Sequence, residues 1–269
     1  MDLTIILPTF NEAKNLPLLL DQILNLNLVM SYEVIIVDDN SSDGTGDAAT
    51  EFSKKDSRVR LITRYEDPGL IQSIQEGIRS AKGKFCIWMD ADLSMSPKLI
   101  PIFFDELNSG VDLVLGSRYI PGGGMKGVDL EKSEETGTIE IVKNLYESED
   151  SLVSAFISKY GNILLRYILH PSIHDYSSGY FGGKKSFLLD NLPRGTFVDY
   201  CQSLPYKAIR DGYIVKEVPM VLATRVHGIS KTSNSLSCIL KIGFQCFSRA
   251  IWLRLNYSPR KGQKRIYES

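Results

Sequence analysis

Short, continuous apolar runs rich in β-branched residues recur along the first half of the chain, at Leu3–Leu7, Glu33–Val37, Val59–Ile62, Phe85–Met89 and Val111–Leu115. Between them, apolar residues return every three or four positions over Glu12–Leu26, Asp47–Lys55, Leu70–Ala81 and Pro97–Asn108. A strand that is apolar throughout, instead of at alternate positions, has both of its faces covered. Strands of that kind separated by helices predict an α/β fold, a doubly wound and mainly parallel sheet with helices on both faces. Further on, the pattern predicts a helix over Leu152–Leu169, a loop over the DYSSGYFGG segment, a helix near Asp199–Asp211 and a strand over Ile214–Leu222.

In such sheets ligands bind beyond the carboxyl ends of the strands. The polar residues concentrate there. Pro8, Asn11 and Glu12 follow the first run; Asp38, Asp39, Asn40 and Ser41 the second; Asp90 and Asp92 the fourth; Ser117, Arg118 and Tyr119 the fifth. Loop polarity alone does not place charge at so many successive strand ends, so this edge is the expected site.

Composition narrows the class. The chain has 269 residues, 43% hydrophobic and 23% charged, which suits a packed domain and excludes disorder or a disulfide scaffold. A net charge of -1 gives no reason to expect nucleic acid as a partner. That average hides an acidic segment, 129–150, with eight acids against two bases, and a basic tail from Lys241, with seven bases against one acid. The acidic segment reads as a mobile solvated insertion. The four cysteines form no CxxC pair and the three histidines have no metal-ligand spacing, so a zinc site is not expected. The start, MDLTIILPT, lacks a basic n-region, and no apolar run is long enough for a spanning helix. A cytoplasmic protein is expected.

Asp90 and Asp92, two apart where a strand relaxes into a loop, are suited to one hard cation, Mg²⁺ or Mn²⁺, which also accepts diphosphate oxygens. Asp38 and Asp39 suit hydrogen bonds to a nucleobase or ribose, and equally an Asx cap on the following helix. Arg225 and Lys231, on the Gly-containing RVHGISK stretch, suit a phosphate clamp or a solvated basic turn. No GxGxxG or Walker lysine follows the first strand, which removes the main support for dinucleotide and P-loop readings.

Taken in order, PTFNE at Pro8–Glu12, VDDNSSDGT at Val37–Thr45, MDADLSMSPKLIP at Met89–Pro101, GSRY and GGG within Gly116–Gly124, DYSSGY at Asp175–Tyr180, and EVP with RVHGISK within Glu217–Lys231 resemble glycosyltransferase family 2, in its dolichyl-phosphate mannose synthase branch. The resemblance covers roughly residues 3–232 and implies a GT-A domain over 1–232. It also implies a nucleotide-sugar donor, a divalent metal, a polyprenyl phosphate acceptor and inversion at the anomeric carbon. By matched positions, Pro8, Glu12 and Asp38 line the nucleoside pocket, and Asp90 and Asp92 hold metal and diphosphate. Arg118, Arg225 and Lys231 surround the phosphates, and Asp175 lies on the acceptor-side loop. The chain departs from the family pattern at Ser94, where some relatives have Gln, at Ile71, which interrupts a Gly-Leu-Gly, and at Ser154, where an Arg is usual.

The resemblance favours mannose from GDP-mannose, with glucose from a UDP donor second. A phosphate acceptor is already ionised near neutral pH and needs positioning more than a general base. A protein or saccharide hydroxyl would need a base, for which Asp175 is the candidate. A binding module without turnover is the alternative outside enzymes. From Leu236, apolar residues Ile239, Leu240, Phe244, Phe247, Ile251 and Leu255 advance at helical spacing, with Ser237, Lys241, Gln245 and Arg249 on another face. The 233–269 tail is thus expected to be a basic amphipathic helix. It would lie on a membrane surface, on the cytoplasmic face, or pack on the domain or an anchoring partner subunit.

Overall fold

The structure, a computed structural model, describes residues 1–125, 152–223 and 236–259. Its first half alternates strand and helix: β1 (Leu3–Thr9), α1 (Leu16–Leu24), β2 (Tyr32–Asp38), α2 (Thr45–Lys55), β3 (Val59–Thr63), α3 (Leu70–Ser80), β4 (Phe85–Trp88), α4 (Leu99–Asn108) and β5 (Leu113–Ser117). There follow β6 (Gly124–Met125), α5 (Leu152–Ile168), β7 (Phe181–Lys184), α6 (Lys185–Asp190), α7 (Phe197–Arg210), β8 (Val215–Pro219), β9 (Val221–Leu222) and α8 (Leu236–Asn256). The main sheet has seven strands in the order β3-β2-β1-β4-β7-β5-β8, and β6 pairs with β9 separately.

The continuous apolar strands are explained by a core on each side of this sheet. Leu3, Ile5 and Leu7 of β1, with Val34 and Ile36 of β2, face one core. Ile6, Ile35 and Val37, the alternate residues, face the other. Neither face is left to water, so neither needs polar alternation.

In the sheet β7 runs antiparallel to both neighbours, β4 and β5. Its sequence, FGGK, falls at the end of a stretch that the residue pattern marks as a loop. Glycine weakens the strand signal, but here small size is what packing requires. A Cβ on Gly182 would lie 3.0 Å from Ile87 Cγ1 and 3.2 Å from Phe103 Cδ2, and one on Gly183 3.0 Å from Leu188 Cγ. Because β7 is reversed, the segment before it reaches the same edge as the carboxyl ends of β4 and β5. The expected strand over Ile214–Leu222 is divided at Met220 between β8 and β9, and α6 was not signalled.

A helix occupies Leu236–Asn256, and its packing differs from the expected separation of apolar and basic faces. Ala250 and Leu253 are buried in the second core, Phe247 packs against it, and Phe244, Ile251, Trp252 and Leu255 face solvent. Arg249 pairs with Asp199 of α7 at 2.8 Å, and Arg254 donates to the Leu169 carbonyl at 3.1 Å. The segments 126–151, 224–235 and 260–269 lie outside the described residues, and with them the acidic insertion, Arg225, Lys231 and the basic run after Pro259. Among the described residues no helix is long and apolar enough to cross a membrane.

Helix α3 approaches the sheet closely at Gly77, where an added Cβ would stand 2.3 Å from Ile6 Cγ2 in β1. Alanine would gain about 1 kcal/mol of helix propensity. Overpacking a filled core costs roughly 1–3 kcal/mol and is expected to prevail. Gly77→Ala should therefore lower the urea midpoint, and a variant at least as stable as the parent would show that α3 can move away from β1.

Candidate active site

The loops after β1 and β2 are knitted together by side chains. Asn11, in the left-handed region at φ 59°, donates its N–H to Ser41 Oγ at 2.9 Å, while its Oδ1 accepts from the Ser42 N–H at 3.2 Å. The Glu12 N–H donates to Thr45 Oγ1 at 2.8 Å and the Ala13 N–H to Asp43 Oδ2 at 3.0 Å. Glu12 Oε2 accepts from Asn15 Nδ2 at 2.6 Å. Partial burial would raise the Asp43 carboxyl, but the Thr45 hydroxyl and the Ala13 and Thr45 N–H groups hold it below the usual carboxylate value. Pro8 lies within β1, one residue before the loop that these bonds fix.

The two adjacent aspartates after β2 have different surroundings. Asp38 Oδ1 accepts from Thr9 Oγ1 at 2.9 Å and from Ser41 Oγ at 2.6 Å, and its Oδ2 from the Ser41 N–H at 2.9 Å. Asp39 forms an ion pair with Arg64, accepts from Ser73 Oγ at 2.8 Å, and binds the Gly69 N–H at 2.7 Å. Both are buried, and both carboxylates are held by protein partners. Arg64 follows the end of β3, and the rule that marked the other strand ends would have found it. Ile71, the family departure, is a buried core residue in the first turn of α3.

At the end of β4, Asp90 is half-buried and Asp92 buried. The turn that presents them runs through Leu93 in the left-handed region at φ 66°. Ser94 then donates to Asp92 Oδ1 twice, from its N–H at 3.0 Å and its hydroxyl at 2.6 Å. Ser94 thus orients this carboxylate from the side. The Ala223 N–H binds the Ser94 carbonyl at 2.8 Å, so the chain after β9, on which Arg225 follows two residues later in sequence, departs from beside this loop. No group of three or more His, Cys, Asp or Glu residues that could hold a metal occurs among the described residues.

The end of β5 and the loop before β7 meet in a buried ion pair. Arg118 Nε donates to Asp175 Oδ2 at 2.7 Å and Nη2 to Oδ1 at 2.8 Å, a two-pronged contact in which the side chains are 9% and 0% exposed. The Arg118 N–H adds a third bond to Oδ2 at 3.1 Å, and Arg118 Nη2 also reaches Ser177 Oγ at 2.6 Å. Burial opposes both charges, but their mutual attraction outweighs it. The Asp175 carboxyl is held below, and the Arg118 guanidinium above, the ordinary value.

A shell of polar residues braces this pair. Glu217 of β8 accepts the N–H groups of His174 and Asp175 at 3.0 Å each, and its Oε2 lies 2.7 Å from His174 Nδ1. Asn162 of α5 accepts the Tyr176 N–H at 2.7 Å and donates to Ser177 Oγ at 2.9 Å. Tyr119 donates its hydroxyl to Ser158 of α5 at 2.7 Å. Tyr119, Ser177 and Glu217 fall within the GSRY, DYSSGY and EVP motifs, whereas Asn162 and His174 carry no sequence signal. The Cys201 thiol donates to the Ser178 carbonyl of the same loop at 2.9 Å, and burial raises Cys201 well above its ordinary value and Cys86 to about 12.

A family model described as "Glycosyl transferase family 2" matches residues 4–191. A polyprenol monophosphomannose synthase of Mycolicibacterium smegmatis is 30% identical over 239 residues, 86% of this chain and 81% of that one. A dolichol-phosphate mannosyltransferase of Pyrococcus furiosus is 38% identical over 123 residues, 46% of this chain and only 35% of its own length. Among solved structures, glucosyl-3-phosphoglycerate synthase from Mycobacterium tuberculosis, in complex with Mn²⁺, UDP and phosphoglyceric acid, superposes with a TM-score of 0.61 at 17% identity, covering 97% of this chain and 80% of that one. At that identity the likeness concerns the fold. The strand order, the polar edge with its Asp-x-Asp loop, and the family match over most of the sheet lead to one conclusion: the chain belongs to glycosyl transferase family 2 and is a glycosyltransferase of GT-A-like fold.

Proposed function

We propose that this enzyme transfers a hexosyl residue, mannosyl from GDP-mannose ahead of glucosyl from UDP-glucose, to a polyprenyl phosphate, with inversion at the anomeric carbon. The names of the two relatives support the acceptor class and the sugar. The observation that carries the choice of a phosphate acceptor over a hydroxyl one is the state of Asp175. A carboxylate that is fully buried, gripped at both oxygens by Arg118 and held below its ordinary value is a poor proton acceptor. A sugar or protein hydroxyl would need such a base; a phosphate monoester, with a second pKa of about 6, arrives with its nucleophilic oxygen already charged.

In this reading Pro8, Glu12, Asp38 and Asp39 line the nucleoside end of the donor site. Asp38 and Asp39 keep their protein partners while presenting the wall that those bonds build. Asp90 and Asp92 fit a divalent cation: both offer hard carboxylate oxygens, and Ser94 orients one of them. With so few protein donors, donor diphosphate oxygens would complete its shell, and Mg²⁺ or Mn²⁺ there would offset charge on the departing diphosphate. Arg118 positions Asp175 and the 175–178 loop on the acceptor side. Arg225 and Lys231 supply cations to bring two phosphates together. The protein works at the membrane periphery, on the cytoplasmic side, with or without an anchoring partner.

Three results test this. Purified protein given a panel of nucleotide sugars and a polyprenyl phosphate should yield lipid-extractable product with GDP-mannose first; product only with soluble saccharide acceptors would refute the acceptor class. Asp92→Asn should abolish transfer, and Ser94→Ala should raise the Mg²⁺ concentration needed for half-maximal rate by about 10–100-fold, as expected when an orienting partner is lost. Unchanged metal dependence in both would remove the metal assignment. Asp175→Ala, which leaves Arg118 buried and unpaired, should cost about 3–5 kcal/mol at pH 7. Because the folded carboxyl is depressed, that contribution is complete above the unfolded value of about 3.9 and is lost as pH falls through the lower folded value. The gap between variant and parent should therefore close on acidification below about pH 4, and a gap that does not would show that the pair is not its source.

A further inference from the structure

A row of aromatic rings leads from the end of β4 to the loop edge. Trp88 stacks on Phe181 of β7 with ring centroids 5.4 Å apart, Phe181 lies 5.8 Å from Tyr200 of α7, and Tyr200 meets Phe197 edge-on at 5.6 Å. The first three rings are buried, but Phe197, the first residue of α7, is 37% exposed. Its position is firmly built. Gly195 turns the chain at φ 80°, Thr196 and Asp199 exchange the reciprocal bonds of a capping box, and Arg249 of α8 pairs with the same Asp199 at 2.8 Å. A Cβ on Gly179 would lie 3.2 Å from Phe197 Cε2 and 3.3 Å from Met95 Cε, so Phe197 and Met95 flank this bare stretch of the loop before β7. The Cys201 thiol, also on α7, binds the neighbouring Ser178 carbonyl. A fixed turn that holds an aromatic ring out to solvent at the strand-end edge suits a ligand wall better than a core.

We propose that Phe197 is a binding residue for the transferred sugar, its ring forming the apolar wall against which the donor's hexose packs. The order of strands supports this placement. Along β3-β2-β1-β4-β7-β5, the donor reading puts the nucleoside beyond β2 and β1 and the diphosphate at Asp90 and Asp92 after β4. The sugar is the next group along the donor and β7 is the next strand, and Gly179, just ahead of β7, lies against Phe197. One strand further, at β5, Arg118 and Asp175 mark the acceptor side. A hexose ring carries C–H groups on its faces and hydroxyls around its rim, so an aromatic ring suits a face while polar groups take the rim. An isoprene unit of the acceptor is apolar too, but Met95, which shares the Gly179 contact, directly follows Ser94 on the Asp-x-Asp loop and ties Phe197 to the donor side. The assignment rests on the nucleotide-sugar reading of this edge and adds the residue that holds the sugar.

The test uses the full chain with Mg²⁺ and measures, by titration calorimetry, the affinity of the parent, Phe197→Ala and Phe197→Tyr for GDP, GDP-mannose, UDP and UDP-glucose. The readout is the ratio of nucleotide-sugar affinity to nucleoside diphosphate affinity within each protein, so a general loosening of the site cancels. Phe197→Ala should lower that ratio about tenfold and raise the donor KM to match, with GDP affinity and the acceptor KM unchanged, and Phe197→Tyr, which keeps the ring, should preserve the parent's ratio. Equal weakening of nucleotide and nucleotide sugar, or an unchanged ratio, overturns the proposal and leaves Phe197 a packing residue. It is likewise overturned if the loss falls on the KM of a long-chain polyprenyl phosphate and not on that of a short-chain one, which would assign the ring to the isoprenoid. A ratio that responds with UDP and UDP-glucose but not with GDP and GDP-mannose would refute the preferred donor and leave the role of Phe197 standing. A response without transfer to either prenyl phosphate would refute the lipid acceptor and leave that role standing as well.

Discussion

The loop edge beyond β5 and ahead of β7 depends on one buried ion pair. Arg118 leaves the end of β5, Asp175 lies ahead of the reversed strand β7, and their two-pronged contact joins segments 57 residues apart in sequence. Two charges removed from water are tolerated only when every oxygen and N–H has a partner. The Arg118 and Ser177 N–H groups and the Ser177 hydroxyl add bonds to the pair itself, while Glu217 and Asn162 hold the backbone of the loop beside it. On the function proposed above, the pair also bears on chemistry: Asp175, committed to Arg118, is not available as a base for a hydroxyl acceptor.

The edge formed after β1, β2 and β4 is built by a different device. Three of its loops leave parallel strands whose faces are both buried, so the backbone that supports Asp38, Asp39, Asp90 and Asp92 is fixed by the two cores and not by the site. Short side-chain bonds then set the loops: Asn11 to Ser41 and Ser42, Ala13 to Asp43, Ser94 to Asp92. Preorganised acceptors of this kind cost little reordering when a charged ligand arrives. Ser94 does locally, from within the loop, what a longer side chain could do only by reaching over it.

The parallel strands and most helices were legible because two-faced burial writes itself directly into local sequence as unbroken apolar runs. The Asp-x-Asp turn and the polar strand ends were legible for the same reason, since each sits where such a run stops. β7 was not, because Gly182 and Gly183 are chosen for the absence of a side chain against Ile87, Phe103 and Leu188, and absence has no period. The Arg64–Asp39 and Arg118–Asp175 pairs, and the grip of Glu217 on the backbone at 174 and 175, were hidden because their partners are brought together only by the strand order.

The central claim is that the acceptor provides the nucleophilic charge and the protein provides no base for it. It is tested most directly by offering the purified enzyme, with donor and Mg²⁺, a polyprenyl phosphate and the corresponding neutral polyprenol of equal chain length across pH 5.5 to 9. The account predicts product from the phosphate alone, with a rate that rises through the phosphate ionisation at about pH 6 and then stays level. Glycosylation of the polyprenol hydroxyl, or a rate that follows a protein carboxylate instead of the acceptor phosphate, would contradict it.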